Sequence, residues 1–197
     1  MGLLGIDVTA LLRRRFGGAS LERRGYELYT AAVGAARDPH FYDAMQVPDT
    51  LDGRFDMVGL FSFLLIKRLT TGNEAQPRVA QAVFDAMFND MDVNLREMGV
   101  GDMSIGKKVR AMWEAFHGRS AAYAEAMQIG PEALAASLQR NLWRGEAEGA
   151  AMFQNAANLA RLAYAQDAHL ARISVPHLVA EARASRPVFL TVAEVFA

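Results

Sequence analysis

The chain has 197 residues, 21 Lys and Arg against 22 Asp and Glu for a net charge of -1, and no cysteine. A length of this order suits one domain that buries its own core, and the missing cysteine excludes a disulfide framework, thiolate catalysis and thiolate zinc sites. Basic residues cluster only at Arg13 to Arg15 and at Lys107, Lys108 and Arg110, which argues against DNA binding, whose affinity rests on neutralising phosphates.

Alanine, leucine, methionine and glutamate are abundant beside six prolines, a composition that predicts an all-α protein, a single compact domain of about seven helices with a long central antiparallel helix pair. The opening residues MGLLGIDVTALLRRRFGG place their bases after the apolar part, the wrong order for a secretory signal, and Ile6 stands where myristoylation needs Ser or Thr. Residues 1–18 read as an arm that either docks on the body or lies on an anionic membrane surface, and residues 19–190 as the helical domain. A helical pattern starts near Ser20 and carries Leu21, Leu28, Ala32 and Ala35; Asp38-Pro39 then starts a short helix through Phe41, Tyr42 and Met45. VPDTLDG reads as a loop with Asp52-Gly53 as its turn.

From Arg54 to Thr71 the pattern is helical and unusually apolar, closed by Gly72, which predicts the central buried helix. Its apolar run is about half the roughly 20 residues that cross a bilayer. A long helix follows from about Ala75 to Met98, Gly99 to Gly101 break it, and a second runs on through Ile105, Met112, Phe116 and Met127, antiparallel to the first. Gly130-Pro131 starts a helix ending near Arg144, residues 146–173 form an alanine-rich helix suited to close packing, and Pro176 and Pro187 confine the last to about ten residues.

Along Ala75 to Met98, Val83, Met87, Met91, Leu95 and Met98 share one stripe with Phe84 and Phe88 beside them. Methionine is unbranched and polarizable, so such a stripe is either core or a surface that repacks against varied apolar partners. The segment is acidic as well: residues 43–102 hold ten acids and five bases. Three motifs fail on inspection. Gly101 to Lys108 has phosphate-loop spacing, but Lys108 replaces the Ser or Thr that would hold magnesium and no strand precedes it. Glu114-x-x-His117 is one copy of an element that di-iron bundles need twice. Asp49, Asp52 and Asp56 lack the ligand pattern of a calcium loop. No cofactor or metal is expected, and no catalytic residue.

VPDTLDGRFDM at 47–57, FLLIKRL at 63–69, FDAMFNDMDVNLREMGVGDMSIGKKVRAM at 84–112 and AFHGRSAAY at 115–123 resemble the ubiquinol-cytochrome c chaperone family. His117 departs from the family pattern, where an aromatic residue is more usual. The resemblance implies a non-enzymatic, all-helical assembly factor that binds newly made cytochrome b and promotes assembly of the cytochrome bc complex. In mitochondrial members it implies a small partner protein and contact with the ribosome. It implies a bacterial cytoplasmic protein, peripheral on the inner membrane, or one on the matrix side of the mitochondrial inner membrane if the source is eukaryotic.

For such a role the apolar contacts are expected at Met87, Met91, Met98, Met103 and Trp113, with Asp90, Asp92, Arg96, Lys107, Lys108 and Arg119 around them. An alternative places Arg54, Arg96 and Arg119 in ion pairs with Asp56, Asp90 and Asp92 inside the domain. Two further readings are a helical haem- or iron-binding protein using Glu114 and His117, and a scaffold at the membrane surface.

Overall fold

The computed structural model of the chain describes residues 19–72, 74–144 and 150–197; the expected arm, residues 1–18, lies outside them. Among the described residues all regular structure is helical: α1 Ala19–Ala36, α2 Pro39–Asp43, α3 Leu51–Thr70, α4 Pro77–Glu97, α5 Asp102–Ile129, α6 Pro131–Leu142, α7 Ala150–Arg172, α8 Val175–Arg183 and α9 Val192–Phe196. Seven of these have nine residues or more, and α2 and α9 have five each.

The apolar run of α3 has too little polar surface for any face to meet water, and 14 of its 20 residues are buried. Helices α1, α4, α5, α6 and α7 pack around it. Its start differs from the sequence expectation. Thr50 caps the helix by accepting from the Gly53 amide at 3.1 Å, so Asp52 and Gly53 fall in the first helical turn rather than in a loop. Gly53 is needed there for space, since a Cβ would sit 2.0 Å from the Pro48 carbonyl oxygen.

Helix α1 crosses α4 at close range. The approach is made possible by Gly25, where a Cβ would lie 2.4 Å from the Ala82 backbone carbon. The alanine-rich α7 packs closely on α6, with Ala156, Ala160 and Ala163 essentially inaccessible to water. Two side chains of α3 hold the α7–α8 junction in place. Lys67 pairs with Asp167 at 2.6 Å, and Arg68 donates to the Leu170 and Ile173 carbonyls at 2.9 and 2.8 Å, supplying partners that the end of α7 lacks internally. Past α8, the buried Gln166 of α7 grips the chain by donating to the Leu190 carbonyl at 2.7 Å and accepting from its amide at 2.9 Å. Helix α9, absent from the sequence expectation, opens on a capping box between Thr191 and Glu194.

Because the α1–α4 crossing leaves no room for a Cβ, Gly25→Ala should lower stability by about 2 kcal/mol in chemical denaturation, overpacking outweighing its higher helix propensity. A gain of about 1 kcal/mol would show that the crossing relaxes freely.

Candidate protein-binding surface

Helices α4 and α5 fold back on each other through the Gly99 to Gly101 turn, with Gly99 at a φ of +77°. The pairing is antiparallel: Phe84 faces Phe116 and His117 with ring centroids 5.9 and 5.7 Å apart, while Arg96 meets Asp102 at the turn. The hairpin's root is core. Met87 and Met91 are 0% and 7% exposed and belong to the central apolar cluster with Phe84, Phe88 and Phe116. This corrects the expectation that they are apolar contacts for a partner, because the face of α4 that carries them is turned onto α1 and α3. Leu95 and Ile105 are also buried, near the turn, but stand outside that cluster.

The expected acidic rim is largely committed within the fold. Asp90 accepts from the Tyr29 hydroxyl at 2.6 Å, joining α4 to α1, and burial together with this carboxylate raises the Tyr29 phenol. Arg96 bonds Asp92 at 2.7 Å and Asp102 at 2.8 Å, which ties the end of α4 to the start of α5 and latches the turn. Trp113 is half-buried on α5, its ring 4.1 Å from His117. Burial depresses the His117 pKa, so its ring is neutral at pH 7. Glu114 is exposed and held by Arg110 at 3.0 Å while His117 turns toward Phe84 and Trp113, so the two do not converge as a ligand pair. No group of three or more His, Cys, Asp or Glu could hold a metal ion among the described residues.

Arg119 belongs to a different device. It is paired with Asp56, whose side chain is fully buried on α3, and Arg144 at the end of α6 reaches the same carboxylate at 3.2 Å and Asp52 at 2.8 Å. Arg119 is thereby removed from the set of partner contacts. Burial pushes the Asp56 carboxyl up to about 6, with the two guanidinium groups opposing the shift. Arg54, expected near Asp56, instead bonds Asp49 at 2.5 Å on the surface. The signal for this network was an acid inside an apolar helical run, between Phe55 and Met57; its partners are 63 and 88 residues away in sequence.

Of the expected contact residues, those that remain uncommitted, Met98, Met103, Lys107 and Lys108, lie at the tip. Met103 is 99% exposed, Met98 59% and Val93 50%. Lys107, Lys108 and Glu97 are exposed beside them and take part in no ion pair among the described residues. The hairpin thus presents two exposed methionines beside two lysines that enter no ion pair among the described residues.

Residues 43–184 match the family described as ubiquinol-cytochrome C chaperone. The crystal structure of the Cbp3 homolog from Brucella abortus is similar at a TM-score of 0.74 and 32% identity, over 95% of this chain and 99% of that one. The Xenopus laevis protein named ubiquinol-cytochrome-c reductase complex assembly factor 1 is 25% identical over 115 residues. That stretch is 58% of this chain and 58% of the frog protein, so the likeness spans a little over half of that relative's length.

The buried carboxylate makes two measurable claims. Arg119→Ala should cost about 3 kcal/mol, since it strips a buried charge of its nearest partner. The folded pKa of Asp56 lies above its unfolded value, so its contribution to stability is full below about pH 4 and falls as pH rises toward 6, by about 3 kcal/mol in all. Denaturation midpoints from pH 4 to 7 should therefore show a downward slope in the native chain that Asp56→Asn removes; parallel profiles would mean that Asp56 titrates normally.

Proposed function

We propose that this chain, which belongs to the ubiquinol-cytochrome c chaperone family, is a non-enzymatic assembly factor that holds newly made cytochrome b until it enters the cytochrome bc complex. The observation that carries the reading is the exposed apolar tip of the α4–α5 hairpin, Met98 and Met103 beside Lys107 and Lys108. Methionines adapt to apolar segments of different shape, and the flanking charges keep the free protein in solution. The client surface is then Met98, Met103, Lys107 and Lys108, with Trp113 at its inner edge; Asp90, Asp92 and Arg96 shape it by fixing the hairpin. No helix among the described residues is long and apolar enough to cross a membrane. Contact with a small partner protein or with the ribosome rests on the family resemblance alone.

The test is an affinity pull-down from gently solubilised source membranes. Cytochrome b should co-purify with the native chain and be lost with Met98→Ser/Met103→Ser, whose stability should stay within about 0.5 kcal/mol of the native chain. Met87→Ala, by contrast, should destabilise by about 3 kcal/mol through its core cavity. Undiminished capture by the tip variant would move the client surface elsewhere; recovery of other membrane subunits without cytochrome b would sink the client assignment.

A further inference from the structure

Between α1 and the segment that joins α8 to α9 lies an open cavity of about 590 Å³. Its floor is aromatic: Phe41, Phe61 and Phe189 are each at most 6% exposed, with Phe61 set 5.8 Å from Phe41 and edge-on to Phe189 at 5.0 Å. Its size and lining are those of sites for small apolar ligands. One wall is the turn of α1 that carries Ala31, Gly34 and Ala35, and a Cβ on Gly34 would meet nothing within 4 Å. The opposite wall, residues 185–191, leaves the end of α8 through the Ser185 and Arg186 amides, which donate to the Ala182 and Glu181 carbonyls; Gln166 pins it at Leu190, and Ser185 holds a left-handed φ of +53°.

The charges at the mouth are unequal. Glu27 faces Arg183 at 3.3 Å and Arg23 at 3.8 Å, Arg186 is held by Glu181 at 2.6 Å, and Asp38 caps α2 by accepting from the His40 amide at 2.9 Å. Arg37 is exposed and enters no ion pair among the described residues. A pocket with accessible walls at Ala31, Ala35, Pro187 and Leu190 over a buried aromatic floor, and one uncommitted guanidinium at its rim, is complementary to a single apolar chain with an anionic head, the chain between the two walls and the head on Arg37.

We propose that this cavity binds a single-chain anionic amphiphile, a site separate from the hairpin tip and independent of the client reading. A fatty carboxylate and a lipid-derived phosphate monoester share that chemistry. Titration calorimetry of the full chain with dodecanoate, dodecyl phosphate and dodecanol, each below its aggregation concentration, tests it. Both anions should bind at one equivalent and the alcohol at least tenfold more weakly; a preference between the two anions identifies the source. Gly34→Leu, which fills the cavity and improves helix propensity, should abolish binding with an unchanged or higher Tm. Arg37→Ala should weaken the anions about tenfold and leave the alcohol as it was. Equal affinity for alcohol and anions, binding that survives Gly34→Leu, or no binding at all would overturn the proposal. Cytochrome b capture by Gly34→Leu should match that of the native chain, which keeps this test apart from that of the client reading.

Discussion

A helix buried on every side must take its polar groups inside with it, and α3 takes a carboxylate. Asp56 lies among Phe55, Met57 and Gly59 with no exposure of its side chain. A buried carboxylate is tolerable only with charged partners, and these come from α5 and from the end of α6. The need to satisfy one acid therefore fixes where α5 crosses α3 and where α6 ends. Helix α5 is anchored by this pair toward its middle, and its N-terminal part runs on past the core to form the tip with α4. The same constraint places Arg144, whose φ of +49° ends α6 in a left-handed turn, so that its guanidinium reaches both Asp56 and Asp52.

The hairpin is consequently two structures in one. Its root is ordinary core: phenylalanines meeting at tilted and edge-on angles across the pair, with Met87 and Met91 buried in the same cluster. Toward the turn the supporting helices fall away, and cohesion passes from burial to polar contacts, Tyr29 to Asp90 and Arg96 to both Asp92 and Asp102. Bonds of the latter kind at exposed sites are individually worth little. Three side chains converging on one turn fix geometry more than they add stability, and geometry is what a projecting contact surface requires.

The helix order, the central position of α3 and the antiparallel hairpin were legible because period 3.6 apolar patterns and Gly-Pro punctuation report local structure directly. The core at the root was not separable from the surface at the tip. Met87, Met91 and Met98 share one stripe in sequence, and only the packing of α1 and α3 over part of that stripe decides that the first two are buried and the last is free. Charge behaved in the same way. Asp90, Asp92 and Arg119 were expected either as partner contacts or as members of internal ion pairs; Asp92 pairs one turn along its own helix with Arg96, whereas the partners of Asp90 and Arg119 are set by tertiary crossings, and for Asp56 they lie 63 and 88 residues off. Helix α9 was readable in principle from Thr191-x-x-Glu194, but five residues carry no periodicity to draw attention to it.

On the proposed client role the protein faces opposing demands: an apolar surface large enough to hold a membrane segment would also hold another copy of itself. The distribution of exposure here answers that by division. The tip exposes flexible thioethers whose area is small and whose neighbours are charged, so two tips meeting would set Lys107 and Lys108 against their counterparts. The aromatic cluster of Phe41, Phe61 and Phe189 is buried beneath a recess that a flat protein face cannot enter. Phenylalanine there is rigid and suits a fixed cavity, whereas methionine at the tip is adaptable and suits a partner whose shape is not fixed in advance. The difference in residue type between the two surfaces follows from the difference in what each can admit.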